Sequence, residues 1–302
     1  MPAPGRFGAV VCAMVTPFDA RGGLDLDGAV ELARWLVDNG NDGLVLAGTT
    51  GESMTLEDDE KVELWRAVRA GVRVPLIANT GTGSTSHSVH LTEAAADCGM
   101  DAVLAVTPYY TRPSQAGIEA HFRAIAEAAA LPVLAYDIPK RSGRQVNTAT
   151  WARLANEGVV SGLKDAAGSP AATASLLAQV PAGFEVYSGD DSLTLSLLAV
   201  GAVGVISTAS HWVGPEMSEM IAASTKGDFE TAIAINSRLV ASYAFENTDE
   251  APNPVPSKAM MRVLGLPAGE CRLPMGPTPP GLEDQARQLW SALRGQPFVP
   301  AR

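Results

Sequence analysis

The sequence predicts an α/β protein: a (β/α)8 TIM barrel followed by a small C-terminal all-helical subdomain. Three observations predict it. Eight short apolar runs punctuate the first two-thirds of the chain, amphipathic segments of helical period separate them, and after Ser210 only helical segments remain. With 302 residues, 46% hydrophobic and 18% charged, the chain is long enough for one large core or two domains.

The elements follow in order. "FGAVVCAMV" from Phe7 precedes "DLDGAVELARWLVDNG", and "GLVLAG" from Gly43 precedes "EDDEKVELWRAVRAG". "PLIANT" from Pro75 precedes "HSVHLTEAAADCG", and "AVLAVT" from Ala102 precedes "QAGIEAHFRAIAEAAA". "PVLAY" from Pro132, "VVSGLKD" from Val159, "FEVYSG" from Phe184 and "GVISTAS" from Gly204 complete the set. Strands that read as continuous apolar runs are covered on both faces, as in parallel sheets. Eight units in roughly 220 residues approach the usual barrel size of about 250, with an open doubly wound sheet as the alternative. Thr55, with an acid three residues on, looks like a capping-box start, and Ser169-Pro170 like an N-cap before a first-turn proline.

Past Ser210 come "PEMSEMIAAS", "FETAIAINSRLVASYAF", "VPSKAMMRVLG" and "GLEDQARQLWSALRG", with "NTDEAPNPVP" a proline-interrupted loop. A boundary at Gly227-Asp228 divides a barrel, 1–227, from a helical subdomain, 228–302.

A net charge of -11 and a pI near 4.8 argue against a nucleic-acid partner, which needs clustered positive charge. Cys12, Cys98 and Cys271 are scattered and odd in number, so neither a disulfide framework nor a zinc site is expected. His87 and His90 share a helix face but lack further ligands, so no metal is expected. "NTGTGSTS" lacks the third glycine of a dinucleotide fingerprint, and no G-K-[ST] motif occurs. The N-terminus has no secretory signature and no apolar run nears the roughly 20 residues of a membrane span, so the expected location is the cytoplasm.

A barrel carries its chemistry where the strands end. Of the lysines, Lys61, Lys140, Lys164, Lys226 and Lys258, only Lys164 falls within an expected interior strand. Alternation puts it on one face with Gly162, which would leave space below it, while Leu163 and Asp165 face away. An amine must be neutral to attack a carbonyl, and at an ordinary pKa only about one lysine in two thousand is neutral at pH 7. Desolvation raises that fraction and permits a Schiff base with a keto substrate. The bland alternative is a lysine snorkelling into water. Tyr136 ends the preceding strand with a phenol able to move a proton, or is simply half-buried. "GTTGE" offers amides and the hydroxyls of Thr49 and Thr50 to a carboxylate, or is an ordinary turn. Arg141 could clamp a second carboxylate, or lie idle on the surface.

Together "GTTGES", "TPYYTRPSQAGIEAHF", "YDIPKRSG", "GLKDAAG" and "YSGDD" closely resemble the dihydrodipicolinate synthase family, in the pyruvate-dependent class I aldolase superfamily that also holds N-acetylneuraminate lyase. The resemblance runs from "AMVTPF" to "NPVPSKAMMRVLG" and "RLPM". It implies that Lys164 forms a Schiff base with pyruvate, with Tyr136 transferring protons. Thr49 and Tyr110 match relay residues, Tyr110 reaching into a neighbouring subunit's site. Thr50 matches a pyruvate-carboxylate binder, and Gly189 and Ile206 line the pyruvate pocket. Arg141 matches the group that holds aspartate 4-semialdehyde. A homotetramer built from tight dimers is implied, and no cofactor is needed because the lysine supplies the electron sink.

Some positions depart from the pattern. The usual "YNVP" is "YDIP", placing an acid at Asp137. His87, Gly83, Asp58 and Lys61 differ from lysine-inhibited members, although Tyr109 fits that site. The rivals are a sister aldolase acting on a 2-keto-3-deoxy sugar acid or N-acetylneuraminate, and a non-enzymatic barrel.

Overall fold

The computed structural model describes residues 5–298. The outermost parts of both expected domains, 1–4 and 299–302, lie outside the described residues.

Eight strands close into a parallel barrel in sequence order: β1 (Val10–Ala13), β2 (Gly43–Leu46), β3 (Leu76–Asn79), β4 (Ala102–Val106), β5 (Val133–Asp137), β6 (Gly162–Asp165), β7 (Glu185–Ser188) and β8 (Gly204–Ser207). Seven fall inside their expected apolar runs and β5 extends one residue past its run, to Asp137, and pairing of β1 with β8 closes the ring and excludes the open-sheet alternative. The helices are α1 (Leu26–Asp38), α2 (Asp58–Gly71), α3 (Thr85–Asp97), α4 (Gln115–Ala128), α5 (Pro139–Ser142), α6 (Thr148–Asn156), α7 (Pro170–Leu177), α8 (Thr194–Ala199), α9 (Ser210–Thr225), α10 (Phe229–Phe245), α11 (Val255–Val263) and α12 (Leu282–Arg294). Among the described residues no helix is long and apolar enough to cross a membrane.

Strand alternation sorts the core into two layers. Inward residues such as Val11, Ile77, Leu104, Leu134 and Ile206 form one cluster filling the barrel, while Val10, Cys12, Leu44 and Leu163 join the larger cluster between strands and helices. Phe7 and Tyr187 close the N-terminal end, their rings 6.5 Å apart, and the Phe7 amide donates to the Tyr187 hydroxyl at 3.2 Å.

Local signals set several helix starts. Ser169 caps α7 by accepting from the Ala172 amide, with Pro170 in the first turn. For α2 the expectation of Thr55 needs correction: the capping box is Glu57 with Glu60, because these acids sit in the first turn where backbone amides are unpaired. Thr55 instead donates its hydroxyl to the Glu52 carbonyl at 3.1 Å. Asp228 caps α10, right after Gly227 at φ +82, where only glycine is unstrained. Beyond that point α10 packs on α9, and α11 on α12.

Candidate active site

Lys164 is the penultimate residue of β6, with its side chain in the barrel, paired in register with Tyr136 of β5 and Tyr187 of β7. It is only 6% exposed, and its Nζ lies 4.5 Å from the centroid of the Tyr136 ring. Burial pulls the ammonium down to about 8, opposed first by the charge of Asp191 and then by Cys12 and Glu246. No carboxylate among the described residues forms an ion pair with it. Asp165, its neighbour in sequence, faces outward and accepts from Thr173 Oγ1 at 2.5 Å and from the Ala167 amide at 2.9 Å.

Two glycines shape the lysine's surroundings. A Cβ on Gly189 would lie 2.9 Å from Lys164 Cγ and 3.1 Å from Cε, so the bare backbone lets the stem pass. Gly162 does not leave the open space expected below the lysine. A Cβ there would meet the Glu185 carbonyl at 2.6 Å and Leu134 Cδ2 at 3.1 Å, because β7 and a core leucine already fill it. The lysine thus stands on a packed floor and extends toward the strand ends.

A cavity of about 470 Å³ opens above that floor, and Lys164, Tyr136, Thr49, Thr50, Arg141 and Gly189 all line it. Ile206 lies in the core cluster with Tyr136 and Ala166. Tyr136 is buried, which pushes its phenol up to about 12, with Arg141 and the Thr49 hydroxyl acting in the other direction. Thr50 Oγ1 accepts from Asn253 Nδ2 at 3.0 Å and lies 3.5 Å from Thr208 Oγ1. Arg141, in the short helix α5, is exposed and donates to the Asn253 carbonyl at 3.4 Å. Its guanidinium is therefore nearly free to receive an anion at the mouth.

Two expected site residues do not line this cavity: Ile206, buried in the core cluster, and Tyr110. Tyr110 sits at φ +70, is 92% exposed, and lines a separate, largely apolar cavity of about 400 Å³ with Tyr109 and Met54. That cavity shares Thr49, Ile138, Arg141 and Asn253 with the first.

Sequence reasoning missed several residues around the lysine. Asp191 Oδ2 accepts from the Thr208 and Ala209 amides at 2.9 and 2.8 Å, fixing the end of β8, and its placement is foreshadowed only by "SGDD". Glu246 lines the cavity, and burial together with Asp191 holds its carboxyl well above the usual carboxylate range. Asn253 bridges Thr50 and Arg141 from the loop that opens the stretch "NPVPSKAMMRVLG", to which no site role was given. Asp137 faces away from the lysine: Trp151 Nε1 donates to its Oδ2 at 3.1 Å, and burial, with Asp165 adding repulsion, raises it to about 7. At that value the carboxyl is partly protonated at neutral pH, which lessens the cost of an acid standing where the family resemblance leads one to expect the neutral asparagine. At the positions weighed for lysine inhibition, Asp58 instead bridges His87 at 2.9 Å and Lys61 at 3.1 Å.

A buried lysine lacking an ion-pair partner among the described residues, a phenol beside it, hydroxyls across from it and an arginine at the mouth can activate an amine, move protons and hold an anion. The comparisons agree with that chemistry. The model of the dihydrodipicolinate synthetase family matches residues 6–293. The chain is 48% identical over 272 residues to the 4-hydroxy-tetrahydrodipicolinate synthase of Moorella thermoacetica, covering 89% of this chain and 92% of that one. It resembles the crystal structure of a Bacillus anthracis dihydrodipicolinate synthase with a TM-score of 0.91 and 42% identity, covering 97% and 100% of the two chains. It also resembles the Cyanidioschyzon merolae enzyme, solved with lysine bound, at a TM-score of 0.93 and 40% identity over 96% and 99%. Matched along almost its whole length in sequence and in fold, the chain belongs to the dihydrodipicolinate synthetase family.

Proposed function

We propose that the protein is a 4-hydroxy-tetrahydrodipicolinate synthase, condensing pyruvate with L-aspartate 4-semialdehyde in diaminopimelate and lysine biosynthesis. The observation that carries this reading is Lys164, buried without an ion-pair partner among the described residues in a cavity whose mouth holds Arg141.

In this reading the neutral Lys164 amine attacks the pyruvate ketone, and loss of water leaves an imine. The Thr50 hydroxyl and the neighbouring loop amides hold the pyruvate carboxylate, beside Gly189 and Ile206. Loss of a C3 proton, passed through Tyr136 and Thr49, gives the enamine, whose C3 attacks the aldehyde carbon. Arg141 holds the aldehyde's carboxylate. The aldehyde's amino group then attacks the imine carbon, closes the ring and releases the lysine, so no metal or organic cofactor is called for.

Tyr110, exposed and outside the cavity of its own lysine, fits a role in a neighbouring subunit's site, within a homotetramer built from tight dimers. The helical segment 228–302 is proposed as a subdomain that completes the mouth of the cavity through Glu246 and Asn253, and the cytoplasm as the location.

Product identification with pyruvate and aspartate 4-semialdehyde tests the reading. The expected result is the cyclic product from the parent chain and near-complete loss in Lys164→Ala. Turnover with neutral sugar aldehydes alone would shift the assignment to a sister aldolase.

A further inference from the structure

Lys258 is the most deeply buried lysine among the described residues, and the reaction above has no use for it. Its side chain is fully buried, as is that of Glu52, and Lys258 Nζ lies 2.6 Å from Glu52 Oε1. The ammonium also donates to the Glu270 carbonyl at 3.1 Å and sits 3.9 Å over the Phe18 ring. The other Glu52 oxygen accepts from the Arg272 amide at 2.8 Å. Arg272 covers the same phenyl ring at 4.2 Å, pairs with Glu60 through two nitrogens, and donates to the Thr55 carbonyl at 2.8 Å.

Glu52 belongs to the loop that presents Thr49 and Thr50. That loop is bracketed by two non-glycine residues in the left-handed region, Ala47 at φ +51 and Glu52 at φ +56. Such residues persist only where surrounding contacts over-determine them. Inside the bracket the Glu52 amide donates to the Thr49 carbonyl at 3.1 Å, so a movement of Glu52 moves Thr49 directly. Thr16 Oγ1 donates to the Gly51 carbonyl at 2.7 Å and steadies the side facing β1. The side facing the C-terminal helices is held by Lys258 and Arg272.

We infer that Glu52 and Lys258 are a positioning pair, through which α11 fixes the strained loop that holds Thr49 and Thr50 against the ketoacid. The inference rests on the proposed reading of those two threonines. The competing reading is a staple of the fold, affecting stability alone. Charge burial separates the two: removing one partner strands a buried charge, whereas replacing both with apolar residues of similar volume commonly restores stability.

The experiment compares the parent chain, Lys258→Met and the double variant Glu52→Met/Lys258→Met. Each is followed by melting temperature and by the pyruvate concentration that half-saturates borohydride trapping, read as adduct by intact mass. The expected result is a lowered melting temperature in the single variant, recovery in the double, and a half-saturating pyruvate concentration about tenfold higher in both. A double variant that melts and saturates like the parent overturns the inference and leaves a structural staple. Should the double variant not fold, Leu239→Ala, a cavity in α10 away from the loop, serves as a control for lost stability. Equal half-saturation in it and in Lys258→Met likewise overturns the inference. No adduct in the parent overturns the proposed function and this inference together, whereas an adduct there with unchanged half-saturation in the variants overturns only the latter.

Discussion

The pH at which pyruvate becomes covalently trapped is the most direct measure of the site. Burial sets the Lys164 ammonium at about 8 rather than its ordinary 10.5. At pH 7 about 9% of such amines are neutral, against about 0.03% of solvated ones, an advantage of about 300-fold in nucleophile concentration. Reductive trapping with saturating pyruvate, its initial rate read by intact mass between pH 6 and 10, should rise about tenfold from pH 6 to 7, bend near 8 and level off by 9. The midpoint reflects two opposed causes, desolvation lowering it and Asp191 raising it. A rate that keeps climbing in proportion to hydroxide through pH 9.5 would refute the argument, because it would mean an amine in contact with bulk water. Adduct formation in Lys164→Ala would refute it differently, by placing the chemistry on another lysine.

The same lysine should cost stability. Its folded value lies below its unfolded one, so the folded state binds fewer protons between about pH 8 and 10.5, and stability rises with pH across that window. At neutral pH the full penalty applies, about 3 kcal/mol as an upper figure, so Lys164→Met should abolish trapping yet melt several degrees higher at pH 7. Asp137 works in the opposite sense: its folded value of about 7 exceeds the unfolded 3.8, so stability is lost as pH rises through that interval. Asp137→Asn should therefore stabilise more at pH 8 than at pH 5 in paired melting curves, and an equal gain at both would show that the carboxyl is not protonated. Gly189→Ala should keep the fold and lose at least tenfold in trapping rate, since its methyl would crowd the lysine stem. Parent-like trapping in that variant would contradict the crowding.

The eight strands were legible because each is buried on both faces, which leaves an uninterrupted apolar run in the sequence. Lys164 stood out for the same reason, as a charge within such a run. The start of α2 was misplaced because Thr55 and Glu57 both satisfy a local spacing rule, and only the backbone geometry chooses between them. The space expected under Lys164 vanished because Gly162 is small for the sake of β7, a neighbour no local pattern reveals. Glu246, Asn253 and the Lys258–Glu52 pair were invisible for a related reason. Glu246, Asn253 and Lys258 come from the C-terminal segment and Glu52 from the loop after β2, and contacts between segments so far apart in sequence leave no periodic trace.

Because Phe7, Tyr187 and the aliphatic side chains plug the barrel from below, the lysine stands at the bottom of a blind shaft. A shaft with one door imposes a queue. The reactant that bonds to the nitrogen must go down first and the second must arrive on top of it, so an aldehyde entering early would bar the way. Turn-taking in this protein then needs no moving gate, since the architecture itself dictates who is served first.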